Sequence, residues 1–306
     1  MQYWLFKALS RFLCLLPYQF VLSIGRGLGK LYYHIAVKQR KRAMAQIMRS
    51  LHTSGNEADY LARRMFNNIG KNFVEILRTP KLTKENYQDY IIINDLHHFT
   101  DALAKGHGVV LLTAHIGNWE WLGAALTYAG LPLSSVIKRQ PNDQHTRLLN
   151  EYREMVGMEI FSRGTTELVG AAKALKKGRV LAFLADQDAG PGGAFIDFLG
   201  KPASTPLGPA VFAKRFKSPI VPVFMLRTKE GKHVAQVYEP FYYQDTGNEE
   251  QDLYALTEKM TKLIEEVIRQ HPSQWMWFQK RWNTPVAEAK QVGKHVHVKK
   301  GIDEHE

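Results

Sequence analysis

His115 and Glu120 lie five residues apart in the segment Thr113-Ala114-His115-Ile116-Gly117-Asn118-Trp119-Glu120. An ionised glutamate that accepts a hydrogen bond from one imidazole nitrogen fixes the tautomer and leaves the other nitrogen free to take a proton. A base oriented in this way can deprotonate a hydroxyl, and general-base help of that kind contributes roughly 10²–10⁴ in rate. In a continuous helix the two side chains would point about 140° apart. A bend at Gly117 and Asn118 removes that obstacle. Asn118 then caps the following helix, and Glu120 falls in its first turn, where the helix dipole favours a carboxylate. Taken alone, the spacing fits a structural hydrogen bond at a strand–helix junction as well as it fits catalysis.

The elements needed to position this bend are legible on both sides. Val109 to Thr113 is a short apolar, β-branched run after Gly108, the pattern of a buried strand. A helix is expected over 119–129, closed by Gly130 and Pro132. Further strands are expected over 134–137, 180–185, 220–226 and 234–238, and helices over 143–156, 165–177, 206–216 and 251–270. Thr205 is the natural cap of the 206–216 helix, with Pro206 at its first position. Residues 38–78 read as helical up to Pro80. This alternation predicts an α/β body, with a mixed, largely parallel sheet flanked by helices. His115 then sits at the carboxyl end of a strand, where ligands gather in such sheets.

Charge divides the 306-residue chain unevenly. The net charge is +12, and the first 50 residues hold nine Lys and Arg but no Asp or Glu. The remainder is close to balance, with 32 basic against 29 acidic residues, which argues against a broad nucleic-acid-binding surface. Leu5, Leu9, Phe12, Leu13 and Leu16 form an apolar stripe beside Lys7 and Arg11, and Arg26 and Lys30 interrupt the next apolar stretch. Residues 2–36 are therefore expected to form helices lying in a membrane interface. The competing expectations are a stripe packed on the body and one spanning helix near 12–35. No small-residue cleavage site marks a removed signal peptide. The expected organisation is a membrane-associating segment over 1–40, a catalytic body over 41–285 and a polar tail over 286–306. Cys14 is the single cysteine, so no disulfide can form within one chain, in keeping with a reducing compartment. The sequence contains no H-E-x-x-H, P-loop or G-x-S-x-G, and Gly25-Arg26-Gly27-Leu28-Gly29 lacks dinucleotide-binding spacing. A phosphatase or nuclease built on His115 and a metal would need the clustered ligands that are missing here.

Several further segments fall into one order. Phe161-Ser162-Arg163 is followed by Ala185-Asp186-Gln187-Asp188-Ala189-Gly190, then Phe195-Ile196-Asp197-Phe198-Leu199-Gly200 and Ala203-Ser204-Thr205. Ser218-Pro219-Ile220-Val221-Pro222 and Gln274-Trp275-Met276-Trp277-Phe278-Gln279-Lys280-Arg281-Trp282 complete the series. Together with His115-x₄-Glu120 this series resembles the bacterial lipid A biosynthesis acyltransferases, within the wider glycerolipid acyltransferase group, over roughly residues 1–285.

The resemblance implies a glycerolipid acyltransferase-like fold at the cytoplasmic side of an inner membrane. It implies an acyl thioester donor, typically acyl carrier protein, and a hydroxyl on an anionic lipid A precursor as acceptor. Transfer would be direct, with His115 as base, Glu120 as its partner, and no cofactor or metal. Arg163 would bind an acceptor phosphate or polarise the oxyanion. Asp186 and Gln187, at another strand end, would line the pocket, or Asp186 would orient Arg163. Asn118 would serve as a cap first and a pocket residue second. Lys138 and Arg139 would meet phosphates or the carrier. Gly190, Gly192, Gly193 and Gly200 suggest a flexible loop over the cleft, with Gly200 and Thr205 near substrate. Trp275, Trp277, Phe278 and Trp282 fit core packing better than an interfacial belt. The alternatives are a different glycolipid or lysophospholipid acceptor, and a non-catalytic lipid-binding protein on the same fold.

Overall fold

The computed structural model describes residues 2–138, 144–163 and 167–289. Ten helices are described: α1 (Gln2–Leu15), α2 (Tyr18–Ile35), α3 (Val37–Leu51), α4 (Gly55–Leu77), α5 (His97–Ala104), α6 (Trp119–Tyr128), α7 (Gln144–Met155), α8 (Glu167–Lys176), α9 (Gly208–Phe216) and α10 (Glu249–Gln270). The strands are β1 (Ile91–Asn94), β2 (Val109–Thr113), β3 (Leu133–Lys138), β4 (Glu159–Arg163), β5 (Val180–Leu184), β6 (Ala194–Phe198), β7 (Lys201–Thr205), β8 (Ile220–Arg227) and β9 (His233–Val237). Seven of them form one sheet in the order β1-β9-β8-β2-β5-β3-β4. From β8 to β4 the strands run parallel. β9 turns back antiparallel on β8, and β1 runs parallel to β9, so the sheet is mixed as expected.

All five residues of β2 are buried, because helices cover both faces of the sheet. Val110 and Leu112 face one core with Phe66 of α4, Leu175 of α8, Ala213 of α9 and Ile264 of α10. Val109 and Leu111 face the other core, with Phe99 of α5 and Leu122, Ala125 and Leu126 of α6. The alternation of side chains along a strand divides them in this way.

The structure modifies four of the local expectations. The 38–78 helix is two helices: His52 adopts a left-handed conformation, and Ser54 and Glu57 form a capping box that starts α4 anew. β1, β4 and the β6–β7 hairpin were not expected as strands, nor α5 as a helix. Leu199 and Gly200, both at positive φ, form the hairpin's two-residue turn between Phe198 and Lys201. Gly200 therefore has a backbone role at a hairpin tip. Thr205 does not cap α9, because its backbone is used in the ladder opposite Ala194 and its hydroxyl accepts from Arg281 Nη2 at 2.6 Å. Leu207 precedes α9 without a side-chain cap. From residue 290 onward the expected polar tail lies outside the described residues; before it, Val286–Glu288 forms one 3₁₀ turn.

α2 lies along α4 with almost no space between the backbones. A Cβ on Gly70 would sit 2.1 Å from Gly25 O, and one on Gly29 would sit 2.4 Å from Phe66 O. The Gly25-Gly29 pair thus serves helix–helix contact. The opposite faces of α1 and α2 leave Trp4, Leu5, Phe12, Leu15, Phe20, Leu31 and Ile35 exposed beside exposed Arg11, Arg26 and Lys30. Among the described residues no helix is long and apolar enough to cross a membrane, so the spanning alternative near 12–35 has no helix to carry it. Pro17 separates α1 from α2 within that stretch.

Candidate active site

β2 and β5 are neighbours in register, Thr113 beside Leu184, so both chains leave the sheet side by side. His115 follows one and Asp186 the other. His115 Nδ1 is 2.7 Å from Asp186 Oδ1, and the His115 backbone N–H donates to Oδ2 at 2.9 Å. Trp275 Nε1 and Gln279 Nε2 also donate to Oδ2, at 2.8 and 3.1 Å. Burial alone would raise the Asp186 carboxyl. The charge of His115 and the hydrogen bonds from His115 and Trp275 outweigh it and hold the group well below the usual carboxylate range. An anionic Asp186 keeps the proton on Nδ1, which leaves Nε2 as the basic nitrogen. Nε2 faces the outside of the sheet edge, with the exposed Gln187 amide 3.4 Å away. The Trp119 ring stands edge-on to the imidazole at 4.8 Å and limits its rotation.

The bend after His115 is clamped from two sides. Gly117 has φ +56°, and a Cβ there would lie 1.9 Å from Met225 O, so only glycine fits. Gly117 N–H donates to Gln274 O, Met276 N–H donates to His115 O, and Asn72 Nδ2 donates to Gly117 O. Asn118 caps α6 as expected, Oδ1 accepting from Trp121 N–H at 3.1 Å. Its Nδ2 donates to Glu75 Oε2 at 2.8 Å. Asn118 is thus a cap and a tie to the core.

Glu75 on α4 anchors that tie. It accepts from both Arg227 Nη atoms at 2.7 and 2.6 Å and from Tyr18 OH at 2.7 Å, and its Oε1 lies 3.0 Å from His233 Nε2. Burial would raise the Glu75 carboxyl, but His233 and Arg227 outweigh it and hold the group far below its usual range.

The expected pairing of Glu120 with His115 is not what the structure contains. Glu120 lies in the first turn of α6, as expected, but its carboxylate is held by Arg153 of α7 at 2.9 and 2.5 Å. A five-residue spacing through a bend brings Glu120 near the site, while the lateral neighbour across the sheet supplies the carboxylate on Nδ1. Asp186 is therefore placed to orient His115, a role not assigned to it beforehand. Gln187 lies where a pocket residue would. Arg163 ends β4 opposite Lys138 at the same edge of the sheet, and Arg139 lies outside the described residues. Trp275 and Trp277 are fully buried, as core packing requires. Sequence reasoning missed Glu75, Asn72, Arg153 and Arg227. A signal for the first two exists: they are polar residues set three apart within an apolar helical stretch.

A base whose free nitrogen faces an open edge can abstract a proton from a hydroxyl. Among the described residues no group of three or more His, Cys, Asp or Glu could hold a metal ion. Residues 1–284 match the family model described as bacterial lipid A biosynthesis acyltransferase. The lipid A biosynthesis lauroyltransferase of Escherichia coli is 26% identical over 276 residues, 88% of this chain and 87% of the relative. A lipid A biosynthesis acyltransferase of Haemophilus influenzae is 25% identical over 293 residues, 92% and 91% of the two chains. The phosphatidylinositol mannoside acyltransferase of Mycobacterium tuberculosis is 27% identical over 231 residues, 73% and 70%.

Proposed function

Because the chain belongs to the bacterial lipid A biosynthesis acyltransferase family and is an O-acyltransferase, we propose that it moves a fatty acyl chain from an acyl thioester, carried by acyl carrier protein, to a hydroxyl of an anionic lipid A precursor. His115 Nε2 takes the proton of the acceptor hydroxyl. The oxygen attacks the thioester carbonyl, and the tetrahedral intermediate collapses with departure of the thiolate, which recovers the proton from the imidazolium. No covalent enzyme intermediate forms. Asp186 orients the imidazole and stabilises its charged form. Glu120 acts through Arg153 to fix the start of α6. Arg163, which ends β4 three strand spacings of about 4.8 Å from β2, meets a phosphate on a large acceptor. The protein works at the cytoplasmic surface of the inner membrane, a reading supported by the exposed apolar and basic faces of α1 and α2.

The observation that carries this reading is the His115–Asp186 pair, with its second ring nitrogen at an open sheet edge. The test supplies acyl carrier thioester and lipid A precursor to the wild type, His115→Ala and Asp186→Asn. Product should fall by about 10²–10⁴ in each variant. Equal product from wild type and His115→Ala would refute the mechanism. A second reading, an acceptor of the phosphatidylinositol mannoside kind, draws on the mycobacterial relatives and is distinguished by offering both lipids in the same assay. For the membrane placement, Arg26→Glu/Lys30→Glu should lower binding to anionic vesicles, and the wild type should lose binding as salt rises. Binding insensitive to both changes would dismiss it.

A further inference from the structure

One short stretch of chain, residues 274–279, holds both members of the His115–Asp186 pair. Gly117 N–H donates to Gln274 O and Met276 N–H donates to His115 O, so its backbone runs beside the base. From the same stretch Trp275 Nε1 and Gln279 Nε2 donate to Asp186 Oδ2, at 2.8 and 3.1 Å. Gln279 Nε2 also reaches the Asp186 carbonyl, at 3.3 Å. With the His115 backbone N–H, three donors meet Oδ2, whereas among the described hydrogen bonds Oδ1 meets only His115 Nδ1. The carboxylate is turned so that one oxygen is saturated and the other is kept for the imidazole.

The stretch is itself pinned from behind. Gln46 Nε2 of α3 donates to Trp277 O at 2.7 Å and to Gln279 O at 3.0 Å, and Arg42 Nη1 donates to Phe278 O at 3.1 Å. Trp275 and Gln279 differ in what else they do. Trp275 fills the core, with its ring against Phe198 and Trp277. The buried Oε1 of Gln279, by contrast, has no protein partner. A buried acceptor without a donor works against stability, and packing alone would be served better by an apolar side chain of the same shape.

We propose that Gln279 is a positioning residue for acyl transfer: its amide N–H holds the Asp186 carboxylate so that Oδ1 stays on His115 Nδ1 and the proton-accepting Nε2 keeps its place at the sheet edge. For its effect on turnover the inference rests on the acyl-transfer reading above. The same hydrogen bond draws charge from the carboxylate. Without it, more negative charge acts on the imidazolium, and the ring holds its proton to higher pH. The other charges close to the pair stay constant. Arg281, which feels both Asp186 and Asp188, is fixed on Ser204 O and Thr205 Oγ1. Asp188 is held by Thr284 and Glu120 by Arg153, while Trp119 and Gln187, beside the ring, are uncharged.

Two readouts test this. In protein with labelled histidines, and with His115→Ala to identify the resonance, the NMR titration midpoint of the His115 ring should rise by about 0.3–1 pH unit in Gln279→Leu. In steady-state assays the same variant should lose about 10-fold in kcat, with the KM of donor and acceptor within about 2-fold of wild type. The acid limb of kcat/KM should move up with the ring titration. Gln279→Glu separates positioning from bulk. Its carboxyl shares one proton with Asp186, and the protonated acid donates where the amide did. Turnover should exceed that of Gln279→Leu at low pH and fall as that proton leaves, an alkaline limb absent from the wild type and from Gln279→Leu. An unmoved His115 titration in Gln279→Leu overturns the proposal, and so does an unchanged kcat or a loss confined to KM. If Gln279→Leu does not fold, Gln279→Glu decides, and a profile without the alkaline limb counts against positioning. The NMR shift needs no substrate. Its presence beside a wild type that transfers no acyl chain would defeat the acyl-transfer reading and leave the tie from Gln279 to His115 standing.

Discussion

The molecule contains two histidine–carboxylate pairs built from the same parts. His115 meets Asp186, and His233 meets Glu75; both carboxylates are fully enclosed, and both are held far below the ordinary carboxylate range. The difference lies around the imidazoles. The His115 side chain is 14% exposed and its second nitrogen looks out beyond the ends of β2 and β5, whereas His233 is 0% exposed and boxed in by Trp121, Arg227 and Glu75. Asp186 takes hydrogen bonds from neutral indole and amide donors together with the imidazole, so its charge is left to act on His115. Glu75 is matched by a bidentate guanidinium, which consumes that charge. The same kind of histidine–carboxylate pair leaves a ring nitrogen at an open edge in one place and is enclosed in the core in the other, and the strand terminus makes the distinction.

The comparison breaks most sharply under mutation of the histidines' partners. Asp186→Asn should cut turnover by about 10²–10⁴, with a drop in melting temperature as well, because an amide cannot accept from all the donors that meet the carboxylate. Glu120→Gln, which removes a carboxylate that never reaches the imidazole, should cost far less; the reverse ranking in steady-state assays would return the orienting role to Glu120. Glu75→Gln should act on the other axis. It leaves Arg227 charged and unanswered in the core, and should cost about 3–5 kcal/mol of unfolding free energy in urea titrations. A Glu75→Gln protein of wild-type stability would contradict the brace.

Acidity sharpens the same contrast more gently. Both carboxyls titrate lower in the folded chain than in the unfolded one, so the unfolded chain takes up protons first as pH falls. Their stabilisation is present above the ordinary carboxylate range of about 4 and drains away as pH drops below it. Melting temperature should therefore fall steeply beneath about pH 4, after a gentler decline below about pH 6.5 from His233, whose imidazole burial holds below its usual range. Glu75→Gln should flatten that acid limb more than Trp275→Phe does. Trp275→Phe removes a single donor to Asp186 and should cost about 0.5–1.5 kcal/mol, read as a small drop in melting temperature.

Much of the fold could be read before the structure, and the reasons for the gaps are specific. β2, β5 and β8 announce themselves because strands covered on both faces are continuous apolar runs. β4 and β7 are short and partly polar, and nothing in their composition separates them from loops. The bend at Gly117, the cap at Asn118 and the position of His115 at a strand end were all legible, since each depends on neighbours in sequence. The partner of His115 was not. Reasoning from spacing favours Glu120, five residues away, whereas the ring meets a carboxylate 71 residues on, brought alongside by strand pairing. The same limit hid Glu75, whose partners come from α2, α6, β8 and β9.

The close seam between α2 and α4 gives this arrangement a mechanical consequence. α4 touches α2 through Gly70 at one point, and a turn further on it holds the reactive bend through Asn72 and Glu75. A methyl group inserted at Gly70 would wedge the two rods apart and transmit that displacement to Gly117 and Asn118 along a single rigid shaft. Gly70→Ala should therefore lose turnover along with thermal stability, although residue 70 lies on α4 and outside the His115–Asp186 pair. Parallel measurement of both quantities tells a transmitted fault from a local one.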